Sequence, residues 1–210
     1  MTVEPTSTPA AEPVPSWVYP PGGFTAETFL KLEGLPERTQ LIDGSLVFVS
    51  PQTNWHARVA ELLLDELARQ APPELRADRA MAVRLAVRQV PQPDVLVVSA
   101  TAHDREQPLA FYHPADVVLA VEVVSADSVE RDRDTLPRRY AAAGIKHFWR
   151  VENEDRRAVV YTYGLDPATK TYGLTGIHHN RMVHAVPYAV EIDLTMVNAL
   201  DDRQSTTTPS

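Results

Sequence analysis

The sequence predicts an α/β fold of the mixed α+β kind, in which a mixed β-sheet is flanked by helices. Two runs, at residues 93–99 and 116–124, are almost continuously apolar, which is typical of strands covered on both faces. Residues 55–70 carry apolar side chains at four-residue steps, as a helix packed on a sheet does. With 210 residues, 44% of them hydrophobic, one core is expected rather than two.

The two ends of the chain are expected to lie outside this domain. Six of the 18 prolines fall within the first 21 residues, among Thr, Ser, Ala and Glu, and such a segment buries too little apolar surface to order itself. The last ten residues are polar and lack periodicity. We therefore predict a disordered Pro-rich tail over residues 1–20, a single domain over 21–200 and a flexible tail over 201–210.

Composition narrows the class of protein. No run approaches the ~18 apolar residues of a membrane helix, and no basic segment precedes an apolar one at the start, so neither membrane insertion nor export is expected. The chain has no cysteine, which excludes disulfides, thiolate zinc sites and cysteine nucleophiles and fits a reducing, cytoplasmic location. The net charge of -8 argues against a general polyanion binder but leaves local basic surfaces open.

The first elements are indicated by caps and turns. A short helix is expected from Thr25, a favourable N-cap, through Leu32, with Gly34 ending it. Two apolar arms then flank Asp43 and Gly44, the dipeptide favoured in a two-residue hairpin turn. The helix over residues 55–70 follows. Residues 80–88 alternate in polarity, which predicts a half-buried strand with its arginines on the outer face.

The second half of the chain predicts a helix and more strands. A charged stretch at 128–144 ends in a helix closed by Gly144, with Pro137 in its first turn or at a kink. Further strands are expected at residues 146–151, 158–163, 172–177 and 190–194.

Two acidic residues interrupt the apolar strands. Glu122 stands in the middle of one apolar run, and Asp94 opens the other after Pro93. A buried, unpaired carboxylate costs several kcal/mol, so each is expected to be paired, protonated or bound to a metal. Acids on adjacent strands can converge on one cation. The alternatives are a strand-edge cap or arginine salt bridge for Asp94, and a buried ion pair with Arg84 or Arg133 for Glu122.

The order of the motifs carries a family resemblance. The Asp-Gly hairpin, SPQTNWH before a helix, QPDVLVV, VVLAVEVVS, RDR and YAAAGIKHFWRVE follow one another over residues 24–194. Together they resemble the Uma-two family of restriction-type endonucleases within the PD-(D/E)XK nuclease superfamily. The resemblance implies a restriction-endonuclease-like core, and a metal-dependent endonuclease that hydrolyses DNA with Mg2+ or Mn2+.

The resemblance also implies site residues. Asp94 matches the family's Asp after Pro, Glu122 matches the acid of the next strand, and Val123 would lend its backbone carbonyl to the metal. Mg2+ prefers oxygen ligands, keeps several waters and can present one to a phosphodiester phosphorus. His56 matches a histidine before the helix, and it either faces the site or bonds to backbone at the edge of the core.

Two positions depart from the family. Gln40 stands where the family has Glu, and Leu136 aligns with its lysine. On a helix Arg133 and Arg139 would share a face with Leu136, so a guanidinium could replace the missing ammonium as a phosphate clamp. The alternative is a solvated helix face that those arginines share with Glu130, Asp132 and Asp134.

These departures leave rival functions open. One is a catalytically inactive nuclease-fold protein that binds nucleic acid or a protein partner, and another is a small-molecule hydrolase that uses the same two acids. Whether Arg133, Arg139 or Lys146 reaches the acids would separate them. A homodimer would suit double-strand cleavage. Trp149, Tyr161 and Tyr163 could stack on bases or pack in the core and on the sheet surface.

Overall fold

The computed structural model describes residues 20–105 and 110–197, so the predicted tails lie outside the described residues apart from Pro20 and stay predictions. The helices are α1 (Ala26–Phe29), α2 (Asn54–Gln70), α3 (Ala100–His103) and α4 (Leu136–Ala143), with a 3-10 turn at Pro114–Asp116 and a π-helix at Arg131–Thr135 that leads into α4. Across these ranges we find no helix with the length and apolar character needed to span a bilayer.

Twelve short strands are described, six of them in one sheet. The strands are β1 (Gln40–Ile42), β2 (Ser45–Val47), β3 (Leu75–Arg79), β4 (Ala82–Val83), β5 (Val95–Ser99), β6 (Phe111–Tyr112), β7 (Val117–Val123), β8 (His147–Glu154), β9 (Arg157–Asp166), β10 (Thr171–His178), β11 (Arg181–His184) and β12 (Val190–Asp193). The six-stranded sheet has the order β10-β9-β8-β7-β5-β3. Within it β7 and β8 are parallel and the other neighbours are antiparallel. Parallel neighbours need a crossover, and the π-helix and α4 provide it.

Helix α2 covers one face of the sheet. Its Val59, Leu63 and Leu67 are buried against alternate residues of β5, β7 and β8, and the β11–β12 hairpin covers the same face with Met182 and Ile192. Full burial of each leucine contributes roughly 1.5–3 kcal/mol. The helix begins after the N-cap Thr53, whose hydroxyl accepts the His56 N–H. The four-residue periodicity of this segment therefore predicted both the helix and its buried side.

Helix α4 covers the opposite face. Leu136 and Tyr140 pack there against the other alternate side chains of the central strands, Leu96, Ala120 and Phe148. The helix ends at Gly144, whose φ of 85° gives the left-handed C-cap, and Pro137 lies in its first turn, as predicted.

The predicted hairpin is present, and its turn requires the Asp-Gly pair. Asp43 and Gly44 have φ values of 51° and 82°, the two left-handed positions that a two-residue turn of this kind needs. A Cβ at Gly44 would collide with the guanidinium of Arg88, which donates to the Asp43 carbonyl at 2.9 Å. Arg88, which lies outside the hairpin, thus stabilises the turn.

The predicted strand at 80–88 is wrong. Only Ala82–Val83 is extended, because Ala80 has a φ of 51° and the chain turns back between Ala86 and Gln89. Val87, expected to face inward, is 68% exposed. The edge strand β3 was missed, since its short segment LRADR offers little apolar signal. Helix α1 begins after Thr25 as predicted but ends at Phe29.

Candidate active site

The two predicted acids lie side by side on neighbouring central strands. Asp94 directly precedes β5, and its N–H donates to the Val121 carbonyl of β7 at 3.1 Å, one residue before Glu122. Both side chains are buried, with exposures of 8% for Asp94 and 3% for Glu122. The structure therefore brings together the pair that the apolar strand pattern singled out.

The oxygens of Asp94 are occupied by donors from three parts of the chain. Oδ2 accepts the Val123 N–H at 2.9 Å and lies 3.1 Å from Nε2 of His56, while Oδ1 accepts from the guanidinium of Arg38. Strand β7 continues past the start of β5, so the carboxylate takes the place of a missing main-chain acceptor for Val123. Burial alone would raise the pKa of Asp94, but the hydrogen bond and charge of His56, with Arg38 and Val123, hold it below its usual range.

His56 reaches Asp94 because helix α2 directs it inward. It lies in the first turn, one helical turn before Val59 on the buried stripe, and only 4% of it is exposed. The imidazole therefore contacts the Asp94 carboxylate through Nε2, where the alternative interpretation expected a bond to the main chain.

Glu122 has a different environment from Asp94. Its Oε1 accepts the Tyr140 hydroxyl at 2.6 Å, on the face covered by α4. Burial, and then the charges of Asp132 and Asp94, raise the pKa of Glu122 well above its usual range, although the Tyr140 hydrogen bond and the charge of Arg131 oppose them. One carboxylate of the pair is thus stabilised as an anion by protein donors, and the other favours a proton or a cation.

A third acid, Asp132, was not singled out from the sequence. It was placed among solvated helix residues, but the π-helix turns it inward and only 1% of it is exposed. It accepts from the Ser128 hydroxyl and from Nε of Arg131, the latter at 3.1 Å. Burial raises the pKa of Asp132 to about 6. The spacing of Ser128 and Asp132, four residues apart on one helical face, was the available signal.

The proposed arginine replacements lie elsewhere. Both Nε and one terminal nitrogen of Arg133 donate to Glu152, at 2.8 and 2.7 Å, and Arg139 donates to Asp43 at 2.6 Å. Lys146 precedes β8 and its carbonyl accepts from Leu165 in β9. The arginine whose charge acts on Glu122 is Arg131 instead.

The two departures from the family pattern occupy buried positions. Gln40 in β1 is 2% exposed, and its Oε1 has no hydrogen-bond partner among the described residues. Leu136, where a lysine was expected, is fully buried in the apolar core beneath α4. Neither side chain brings a charge to the acids.

The donor set fits a magnesium-like ion in part. Carboxylate oxygens suit a hard cation, and the Val123 carbonyl lies on the same side of β7 as its N–H, toward Asp94, because both groups of an extended residue point one way. Over residues 20–105 and 110–197, no three acidic or imidazole side chains are grouped closely enough to hold an ion by themselves. Mg2+ is commonly bound by one or two carboxylates, with water and substrate phosphate completing its shell.

Comparison with known proteins shows similarity to a protein family and to solved structures. Residues 26–196 match the family model described as "Uma2: Putative restriction endonuclease". A solved structure from Anabaena variabilis, described as "a putative nuclease belonging to DUF820", superposes with a TM-score of 0.67 and 14% sequence identity, covering 84% of this chain and 98% of that one. At that identity the likeness shows a shared fold. No match was found among curated proteins.

Proposed function

Because the chain belongs to the Uma2 family of restriction endonucleases, we propose that it is a metal-dependent endonuclease that hydrolyses DNA phosphodiester bonds. The observation that carries the proposal is the buried pair Asp94 and Glu122 on neighbouring strands, with Asp132 close enough to raise the pKa of Glu122. Repulsion among these acids is relieved when a divalent cation binds them. DNA as the substrate rests on the family.

We propose that Asp94, Glu122 and the Val123 carbonyl hold Mg2+ or Mn2+. When bound, the ion would supply charge neutralisation at the phosphate and lower the pKa of a water ligand. The two carboxylates differ in pKa, which lies below its usual range for Asp94 and well above it for Glu122, so protons compete with the metal more strongly at Glu122. Metal binding is therefore expected to strengthen as the pH rises.

The chain's own side chains orient the acids and clamp the substrate. Tyr140 fixes Oε1 of Glu122, and His56 fixes Oδ2 of Asp94, so both carboxylates are preorganised by hydrogen bonds. Arg38 is 30% exposed at its side chain, and we propose that it turns from Asp94 to the phosphate when substrate and metal enter. Arginine stays protonated, so it neutralises the phosphate and takes no proton.

A second candidate is a nuclease-fold protein that binds nucleic acid without cleaving it. Two observations favour it: protein donors already engage both oxygens of Asp94, and Leu136 lies in the apolar core where it cannot assist a water or a phosphate. Binding would then rest on surface cations and not on the acids.

The deciding experiment is cleavage of supercoiled plasmid by the purified protein with Mn2+ or Mg2+, beside an Asp94→Asn/Glu122→Gln double variant. Glu154→Gln serves as the matched control, because Glu154 is an exposed acid that also accepts a tyrosine hydroxyl. Nicking by the wild type and by Glu154→Gln, but not by the double variant, supports the nuclease proposal. Absence of nicking, with plasmid binding kept in all three proteins, favours the second candidate.

A further inference from the structure

A cavity of about 460 Å³ opens beside α4, on the same face of the sheet as Glu122. Four cationic residues and one acid contribute to its lining, although the whole chain carries a net charge of -8. The residues that matter for its chemistry are Arg138, Arg150, Lys170, Phe148, Tyr163 and Tyr172. This volume is within the range of small-molecule binding pockets.

The cavity and Glu122 lie on the same face of the sheet. Arg150 in β8 is the register partner of Glu122 in β7, and the neighbouring partners Ala120 and Phe148 lie together in the core beneath α4. Arg150 and Glu122 therefore point to the same face, one strand spacing of about 4.8 Å apart. A ligand in the cavity would therefore lie on the Glu122 side of the sheet, with Arg150 as the lining residue on the neighbouring strand.

One wall of the cavity is aromatic. The ring of Phe148 lies 5.6 Å from that of Tyr172 in a stacked arrangement and 5.7 Å from that of Tyr163. The Arg150 guanidinium lies 4.8 Å from the centre of the Tyr161 ring and 5.6 Å from that of Tyr163, and its Nε is 2.9 Å from Glu152, so this cation is fixed beside the wall and paired with an acid. Flat apolar surface beside a fixed cation suits a nucleobase.

Two cationic side chains at the opening of the cavity can bind a ligand. Lys170, in the turn between β9 and β10, has no side-chain partner among the residues that the structure describes. Arg138 is paired with Asp134 four residues earlier, and 73% of its side chain is exposed, so this pair contributes little and exchanges readily for a phosphate. By contrast, Arg133 donates two hydrogen bonds to Glu152.

We propose that this cavity binds one unpaired nucleotide of the substrate strand, with its base against the partly exposed rings of Tyr163 and Tyr172 and its phosphate between Arg138 and Lys170. The inference rests on the proposed function and deepens it, because it places a further nucleotide of the substrate strand on the sheet face to which Glu122 points. Bases stacked within a duplex cannot enter such a cavity, so the preferred ligand is single-stranded or has a displaced base.

The test measures binding without catalysis. Fluorescence anisotropy with the full chain in EDTA compares a labelled oligothymidylate with an oligomer of equal length made only of abasic deoxyribose phosphates. The wild type is expected to bind the thymidylate about tenfold more tightly, because a base against an aromatic wall contributes affinity that a bare backbone lacks. In Tyr163→Leu this preference should disappear. Equal affinity of the wild type for the two oligomers would overturn the proposal.

The phosphate-binding role of Arg138 and Lys170 is tested by removing their charges. An Arg138→Gln/Lys170→Gln variant should bind both oligomers about tenfold or more weakly, and the slope of its salt dependence should fall by about 0.7 for each phosphate that the variant no longer neutralises. Arg181→Gln is the matched control, an exposed arginine paired with Glu191 in the hairpin on the opposite face. An equal weakening of binding in the control and in the double variant would refute the site.

The same assay separates this proposal from the nuclease proposal. Both properties are measured on the wild type. A preference for the thymidylate without plasmid cleavage would refute the nuclease proposal and support the cavity proposal. Plasmid cleavage without such a preference would support the nuclease proposal and refute the cavity proposal.

Discussion

Glu122→Gln is expected to stabilise the metal-free protein at neutral pH. Glu122 is 3% exposed, and its pKa is raised first by burial and then by the charges of Asp132 and Asp94. A glutamine keeps an oxygen for the Tyr140 hydroxyl and places an amide near two carboxylates that can accept from it. The substitution therefore removes a buried charge without removing its hydrogen bond.

The magnitude follows from the burial of the charge. Replacing buried ionic groups by neutral groups of similar volume is often neutral or stabilising by about 1–4 kcal/mol. Since the Tyr140 hydrogen bond and the charge of Arg131 offset part of the cost, we expect the variant to gain about 1–3 kcal/mol at pH 8, which raises the melting temperature by roughly 2–4 °C per kcal/mol in a chain of this size.

The sign of this stability difference can be checked by varying the pH. The folded pKa of Glu122 lies above its unfolded value of 4.5, so the folded wild type binds more protons between those values and loses stability as the pH rises through them. The glutamine variant lacks this loss. The difference between the two proteins should thus be small near pH 4 and largest above the folded pKa.

The assay is thermal unfolding in EDTA from pH 4 to 8, with Glu154→Gln as the control. Glu154 also accepts a tyrosine hydroxyl, at 2.5 Å from Tyr161, but it is exposed, so its variant should stay within about 0.5 kcal/mol of the wild type at every pH. A Glu122→Gln protein that is less stable than the wild type at pH 8 would show that the carboxylate is satisfied without a cation, and would refute the reasoning.

Three other substitutions test the surroundings of the site by urea unfolding. Asp94→Asn leaves Arg38 without its charged partner and should lower the free energy of unfolding by about 2–4 kcal/mol at pH 7. Because the folded pKa of Asp94 is below 3.8, this loss of stability should disappear as the pH falls through the folded pKa. Leu136→Lys buries an ammonium in an apolar core, so it should cost several kcal/mol and give no gain in plasmid cleavage. Gly44→Ala should cost about 1–2 kcal/mol, since its φ is 82° and the new Cβ meets Arg88; an unchanged midpoint would contradict the turn geometry.

The sequence predicted the family, the mixed sheet with its flanking helices and most of its elements. These rested on strong local signals: near-continuous apolar strands for β5 and β7, four-residue periodicity for α2, and the Asp-Gly turn. The two acids were predictable because a carboxylate inside an apolar strand is costly unless something satisfies it.

The partners of the acids were not predictable from local pattern. Arg38 is 56 residues from Asp94, and Tyr140 is 18 residues from Glu122, so only the tertiary fold decides that they meet. The π-helix also changes which residues of the run at 131–135 face inward, and it buries Asp132 while Arg133 points to Glu152. A regular helical projection could not have distinguished these neighbours.

The parallel pairing of β7 and β8 has a consequence for the order of assembly. Tyr140, Asp132 and Arg131 all lie on the crossover between these strands, so they reach Glu122 only when that crossover docks on the sheet. Closing such a long connection is among the slower steps of folding. We therefore expect a partly folded chain in which this crossover has not docked to lack the groups that surround Glu122, although His56 and Arg38, the partners of Asp94, lie outside the crossover.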